Sequence, residues 1–247
     1  MRDWTNEAAI KRWADYPREA LNALGPEGDF AKQHLINPVL LRMLGDVRGR
    51  RIMDAGCGHG YFARMLAARG AVVTGVEPAR ALYDYAAEHE AREPLGIRYV
   101  QADLCALSDL YALPDLGGPF DAVVSSMVLM AVPDWAGAMR ACVEALAPGG
   151  QFVFAIVHPC FERLSPTWRE HGEYRVREYL AEYEVPGPRA VDFHRPLSAY
   201  LNELARLGCQ FTEMAEPGLD PAVAAATGTA EEYVHLPNFV VITARRP

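Results

Sequence analysis

Three glycines alternate along one short segment, and this segment constrains the fold more than any other feature of the sequence. The segment begins at Arg51 with the apolar residues Ile52 and Met53, followed by Asp54. Glycine then occupies positions 56, 58 and 60. From Tyr61 to Arg69, apolar residues recur at the spacing of one helix face. The segment predicts a buried strand, a tight turn and a helix. Glycine there permits positive φ and lets a ligand approach the backbone, which is typical of a nucleotide cradle.

Acidic residues near the cradle bear on which ligand it binds. Glu77 follows the next predicted strand and can accept hydrogen bonds from ribose hydroxyls of either a dinucleotide or an adenosyl ligand. Asp54 distinguishes between these two ligands and favours the adenosyl ligand. A carboxylate at a helix amino terminus repels pyrophosphate but suits an ammonium and a sulfonium. The spacing of the glycines also departs from Gly-x-Gly-x-x-Gly, which weakens the hypothesis that the chain is a nicotinamide dehydrogenase. No lysine follows the glycines at the position that a phosphate loop requires.

The rest of the chain predicts an alternation of strands and helices. Strands are expected at 97–104, 120–127 and 151–157, and two more at 210–214 and 238–244. Alternation from residue 50 to residue 157 indicates parallel strands with right-handed crossovers and helices on both faces. In such a sheet, ligands bind outside the carboxyl ends of the strands. Asp103 lies at that edge, where its carboxylate can accept from an adenine amine while the Leu104 amide donates to the ring.

The order of these motifs resembles that of class I S-adenosylmethionine-dependent methyltransferases, over roughly residues 45 to 160. The resemblance implies an α/β, Rossmann-like, seven-stranded, mostly parallel sheet with an antiparallel last strand, helices on both faces and an N-terminal helical cap. We expect the cap at residues 1–45 and the methyltransferase domain at 46–247, with a lid insertion at 158–195. The cofactor implied is S-adenosyl-L-methionine, and its product is S-adenosyl-L-homocysteine.

The cofactor is expected to bind at the carboxyl edge of the sheet. Asp54 is expected to orient the glycine turn and set the local charge, while Ser126 and Met127 flank the methionine portion. Tyr16 and His34 are candidates for the methionine carboxylate, where the family often uses an amino-terminal polar residue. The complete set of predicted cofactor-binding residues is Tyr16, His34, Asp54, Gly56, Gly58, Glu77, Pro78, Asp103, Leu104, Ser126 and Met127.

Catalytic and acceptor-binding candidates come from the segments beyond the fifth predicted strand. His158 directly follows that strand and His194 precedes a helix, so either is a candidate general base, with turn stabilisation as the alternative. Arg195 is a candidate partner for a substrate carboxylate, or else a surface residue. The predicted substrate-binding residues are Trp168, Arg195, Tyr233 and His235.

Composition narrows the class of substrate. A net charge of −8 argues against a nucleic-acid substrate, and the sequence contains neither a membrane-spanning apolar run nor a signal-peptide core. The five cysteines form no Cys-x-x-Cys pair, so no metal site is predicted.

We therefore expect a cytoplasmic methyltransferase, monomeric or homodimeric, that methylates the oxygen, nitrogen or carbon of a small metabolite such as a natural-product intermediate. The alternatives are a non-methylating reaction on the same fold, such as cyclisation or decarboxylation with a bound adenosyl cofactor, and a non-catalytic binding module.

Overall fold

Seven strands form one sheet at the centre of the computed structural model, which describes residues 4–14, 16–106, 118–187, 190–228 and 230–247. In spatial order the strands are β3, β2, β1, β4, β5, β9 and β8. All run parallel except β9, which is antiparallel to both neighbours and confirms the predicted antiparallel last strand. Their bounds are β1 Arg51–Ala55, β2 Val72–Val76, β3 Arg98–Val100, β4 Phe120–Ser126, β5 Leu146–Val157, β8 Gln210–Ala215 and β9 Phe239–Arg245.

Helices bury both faces of the sheet, as predicted. Consecutive residues of β1, Ile52 and Met53, belong to two different apolar clusters, because side chains alternate across a strand. The same alternation separates Val123 from Val124 in β4. The α-helices are α1 Asn6–Ala14, α2 Arg18–Asn22, α3 Asn37–Leu44, α4 Tyr61–Ala67, α5 Arg80–Arg92, α6 Trp135–Glu144, α7 Leu164–His171, α8 Leu197–Arg206, α9 Pro221–Thr227 and α10 Glu232–His235.

A π-helix, Lys32–Ile36, leads into α3. Pro38 lies in the first turn of α3 and has no N–H to donate to the His34 carbonyl. The Asn37 amide instead donates to the Lys32 carbonyl, five residues back. Pro38 therefore coincides with one widened helical turn and does not end the helix.

The insertion after β5 contains two elements that periodicity did not predict: α7 and a two-stranded hairpin formed by β6 Tyr183–Pro186 and β7 Val191–His194. The third strand is also shorter than predicted, so Asp103 and Leu104 lie beyond its end, and Leu104 begins a short 3₁₀ helix. In the ranges described here, we find no helix with the length and apolar character that a membrane span requires.

The direction of the crossovers reverses between β1 and β4, which are neighbours in the sheet. Loops leaving the carboxyl ends of these two strands diverge and open a crevice between them. The glycine turn follows β1, and Met127 and Val128 follow β4. The fold therefore places the predicted nucleotide cradle at the crevice where open parallel sheets bind ligands.

Candidate cofactor and active site

A cavity of about 290 Å³ lies at this crevice. Its floor is the glycine turn, and its sides are the segments that follow β2, β3 and β4. Helix α1 contributes Asn6, Ile10 and Trp13 to the opposite wall. The cavity thus lies between the sheet edge and the amino-terminal helices.

The glycine turn needs its glycines for two different reasons. Gly56 has φ +77°, and a Cβ there would lie 2.5 Å from Cγ2 of Val128. Gly58 has φ +57°, but a Cβ there would meet nothing within 4 Å, since this residue faces the open cavity. Gly56 therefore permits close packing of two strand ends, whereas Gly58 leaves backbone accessible to a ligand.

Glu77 lies at the end of β2 and lines the cavity. The Gly58 amide donates to its Oε2 at 2.9 Å and the Ala79 amide to its Oε1 at 2.8 Å. Burial raises the pKa of this carboxyl to about 7, against the lowering effect of the two amides. The amides fix the carboxylate in one orientation, and each oxygen keeps a lone pair for a further hydrogen bond.

Asp54 is the second carboxylate of the site and is 2% exposed. Burial raises its pKa to about 7, and the negative charge of Glu77 adds to the effect, while the Ala63 amide opposes it. Its Oδ2 is buried, and no described residue gives it a hydrogen bond. Two neighbouring buried carboxylates without a side-chain cation suit a positively charged ligand, as expected for an ammonium and a sulfonium.

Asp103 lies on the cavity wall and is held from two sides. Its Oδ1 accepts from the Cys105 amide at 3.0 Å, and its Oδ2 accepts from the Asn6 side-chain amide at 3.4 Å. Asn6 also accepts, through Oδ1, from the Asp134 amide at 3.1 Å. One side chain of α1 therefore contacts the segments that follow both β3 and β4.

Most of the other predicted cofactor residues are brought together at the cavity. Its lining includes Tyr16, Pro78, Leu104, Ser126 and Met127. His34 is not among the lining residues, because the helix turns its ring onto Phe30, with the ring centroids 4.6 Å apart.

His158 does not line the cavity and has both ring nitrogens engaged. Nδ1 accepts from the Cys160 amide at 3.1 Å, so the neutral ring carries its proton on Nε2, 2.8 Å from Oε1 of Glu216. Burial lowers the pKa of His158, although Glu216 opposes this. Because its lone pair is occupied, the ring caps the turn after β5. This is the turn-stabilising role that was the alternative to a general base.

His194 is likewise held inside the insertion. Its Nε2 lies 2.9 Å from the Tyr179 carbonyl, which can only accept, and its Nδ1 lies 2.8 Å from Oε1 of Glu162. The ring stacks on Tyr183 with centroids 4.4 Å apart. The structure therefore does not bring either predicted base to the cavity.

Arg195 is 4% exposed, so it is neither a surface residue nor a group that lines the cavity. Its guanidinium donates to the carbonyls of Leu129, Val132 and Pro133 at 3.0 to 3.3 Å. Val132 and Pro133 line the cavity. Arg195 thus reaches the site indirectly, by holding one of its walls.

Three predicted substrate residues form a separate contact between α7 and α10. Trp168 stacks on His235 with centroids 6.3 Å apart, and the Ser165 and Tyr233 hydroxyls are hydrogen-bonded to each other at 3.0 Å. None of these residues lines the cavity. They join the insertion to the segment before β9.

Several residues that line the cavity were not predicted from the sequence. Asn6, Trp13 and Lys32 come from the amino-terminal helices, where no local pattern marks a residue that faces a distant strand end. His59 lies inside the glycine turn, and burial lowers its pKa to about 4, aided by the charge of Lys32. Its position between Gly58 and Gly60 was the one sequence signal that could have predicted His59 as a cavity residue. No group of three or more metal-ligating side chains occurs in the part of the chain that the structure describes.

Comparison with known proteins agrees with this geometry. A family model described as a methyltransferase domain matches residues 53–154. A ubiquinone biosynthesis O-methyltransferase of Alkalilimnicola ehrlichii is 35% identical over 156 residues, which cover 62% of this chain and 57% of that protein. The chain therefore spans little more than half the length of this curated relative.

Solved structures extend the similarity to most of the chain. An S-adenosylmethionine-dependent methyltransferase from Mesorhizobium loti is 31% identical, with a TM-score of 0.73, over 90% of this chain and all of that one. A putative S-adenosylmethionine-dependent methyltransferase from Listeria monocytogenes shares the fold, with 21% identity, a TM-score of 0.66, and coverage of 83% of this chain and 94% of that one. The chain belongs to the class I S-adenosylmethionine-dependent methyltransferase family.

Proposed function

We propose that this protein transfers a methyl group from S-adenosylmethionine to a small molecule. The observation that carries the proposal is the pair of buried carboxylates, Asp54 and Glu77, beside a glycine turn that faces a cavity. The cofactor, when bound, supplies a methyl group already activated on a sulfonium. The protein then has to align the acceptor and exclude water.

Each part of the cofactor has a candidate partner in the chain. The Glu77 carboxylate would accept from the ribose hydroxyls, and the Asp103 carboxylate with the Leu104 amide would hold the adenine. Ser126 and Met127 would flank the methionine portion above Gly58. Asp54 would contribute negative charge without direct contact.

The amino-terminal helices would exclude water from this site. Ile10 and Trp13 present apolar surface to the cavity, and Arg195 holds the opposite wall in place. We accordingly propose that residues 1–45 act as a cap. Residues 158–195 would act as a lid that reaches the site through Arg195.

The acceptor is proposed to be a small, largely apolar metabolite. Val128, Ala131 and Val132 add apolar surface to the cavity, and the acidic chain offers no match to a polyanion. An oxygen acceptor is favoured, since the relative from Alkalilimnicola ehrlichii is an O-methyltransferase. The predicted base role of His158 or His194 stays a prediction, and their occupied nitrogens favour an acceptor that is acidic enough to ionise unaided. We further propose a cytoplasmic monomer or homodimer.

Calorimetric titration with S-adenosylhomocysteine tests the cofactor assignment. Glu77→Ala should weaken binding by about tenfold or more, because charge-assisted hydrogen bonds contribute roughly 1.5 to 3 kcal/mol each. Glu213→Gln is the matched control, since Glu213 is half-exposed on β8 and pairs only with Arg42 among the described residues. Equal affinity in wild type and Glu77→Ala would contradict the ribose role.

Incubation with methyl-labelled S-adenosylmethionine and a metabolite extract tests the reaction. Label in a small molecule, found by mass spectrometry, is the expected result. Cofactor binding without any labelled product would instead favour the non-methylating alternative.

A further inference from the structure

A second cavity lies inside the insertion, and none of its lining residues belongs to the first cavity. Its volume is about 320 Å³. The walls come from the turn after β5, from α7, from the loop that follows α7 and from the β6–β7 hairpin. The proposed methyl transfer assigns no role to this space.

Three arginines line the second cavity: Arg163, Arg175 and Arg177. Arg175 is paired with Glu173, at 2.6 Å. The side chains of Arg163 and Arg177 have no hydrogen bond, ion pair or ring contact with any described residue. Across the ranges that the structure describes, the only other arginines in this condition are Arg140 and Arg169. Two of these four arginines thus line one concave site.

The acidic residues that line the cavity form no described ion pair with these two arginines. Glu162 accepts from the Tyr183 hydroxyl at 3.2 Å and contacts His194 with its other oxygen. Glu170 lies 3.7 Å from His171, and Glu184 also has a partner. The two guanidinium groups are therefore available to a ligand.

Arg163 has an unusual backbone conformation. Its φ is +56° and its ψ is +35°, in the left-handed region that favours glycine. Arginine occupies this position although the conformation costs a non-glycine residue backbone energy. Strain of this kind is concentrated at ligand-binding sites, and here it occurs at a residue of the cavity wall.

We propose that this second cavity binds a small metabolite through its carboxylate or phosphate group. Arg163 and Arg177 hold the oxyanion, because guanidinium groups match the geometry of both anions. Tyr174 and Tyr183, which line the same space, pack against the body of the molecule. This site is independent of the cofactor cavity.

Calorimetry at constant ionic strength tests the proposal with two probes, inorganic phosphate and benzoate, each titrated up to about 10 mM. At least one probe should bind the wild type saturably, and the stronger one identifies the anion. Arg163→Ala and Arg177→Ala should each weaken it about tenfold or more. Arg169→Ala, on the same helix and equally unpartnered, should leave it unchanged.

Arg163→Gly separates loss of the ligand from loss of the fold. Glycine suits the left-handed backbone, so the Tm should stay the same or rise while anion binding is lost. The proposal is overturned if neither probe saturates in the wild type. It is also overturned if Arg169→Ala weakens binding as much as the other variants, or if Arg163→Gly binds normally.

Discussion

Asp54 and Glu77 show how burial changes the titration of two ordinary carboxyls. Burial raises the pKa of each to about 7, above the usual 3.8 and 4.5. Between those ordinary values and 7, the folded protein binds more protons than the unfolded chain. Unfolding free energy therefore falls as pH rises through this window. A cationic ligand would offset the same penalty.

This argument predicts a pH-dependent stability that Asp54→Asn reduces. The wild-type Tm should fall between pH 5 and pH 8, measured by differential scanning calorimetry without cofactor. In Asp54→Asn the fall should be smaller, by a free energy on the order of 3 kcal/mol for one group. Asp84→Asn, at an exposed ion pair, serves as control. Parallel pH profiles for the wild type and Asp54→Asn would contradict the assignment.

Polar contacts of Asn6 help to position helix α1, beside the apolar packing of Trp13. Helix α1 has no buried residue of its own, yet Asn6 joins it to Asp103 and to the Asp134 amide. We expect Asn6→Ala to increase hydrogen exchange in α1 while leaving the central strands unchanged. Affinity for S-adenosylhomocysteine should fall about fivefold, since one net hydrogen bond contributes about 1 kcal/mol. Unaltered exchange in α1 would refute this role.

The turn after β4 depends on the hairpin in the insertion through Arg195. Arg195→Lys keeps the charge but loses the planar fork that reaches three carbonyls. Urea unfolding should show destabilisation by roughly 2 to 4 kcal/mol, because buried polar groups lose their partners. Arg48→Lys, in an ion pair with Asp46 that is exposed at both ends, should change stability by less than about 1 kcal/mol. Equal effects of the two variants would argue against a stabilising role for the buried hydrogen bonds of Arg195.

Binding and stability are coupled over the whole molecule. If S-adenosylhomocysteine binds only the folded state, a concentration of about 100 times Kd should add roughly 2.7 kcal/mol to the unfolding free energy. For a chain of 247 residues this corresponds to a rise in Tm of about 5 to 10 °C. Glu77→Ala, with binding about tenfold weaker or more, should show about half this rise or less at the same ligand concentration. A similar rise in both proteins would place the ligand elsewhere.

Regular elements with short-range signals were predictable. The glycine turn and strands β1, β2, β4, β8 and β9 lie within a few residues of their predicted positions, because alternation and φ preference act locally. The insertion was not predictable in this way. Its helix and hairpin are short and mixed in polarity, and contacts such as Trp168 with His235 stabilise them.

The sequence, through its motifs and the family resemblance that they carry, predicted the cofactor, the edge of the sheet where it binds, and a ribose-binding role for Glu77. Only the tertiary structure decided which polar residues face that edge. His158 contacts Glu216, 58 positions away, and Arg195 contacts Leu129, 66 positions away. Asn6 reaches Asp103 across 97 positions. The sequence of a glycine turn predicts its backbone conformation, because φ preference is local. The role of a histidine or arginine depends instead on the partners that folding brings to it.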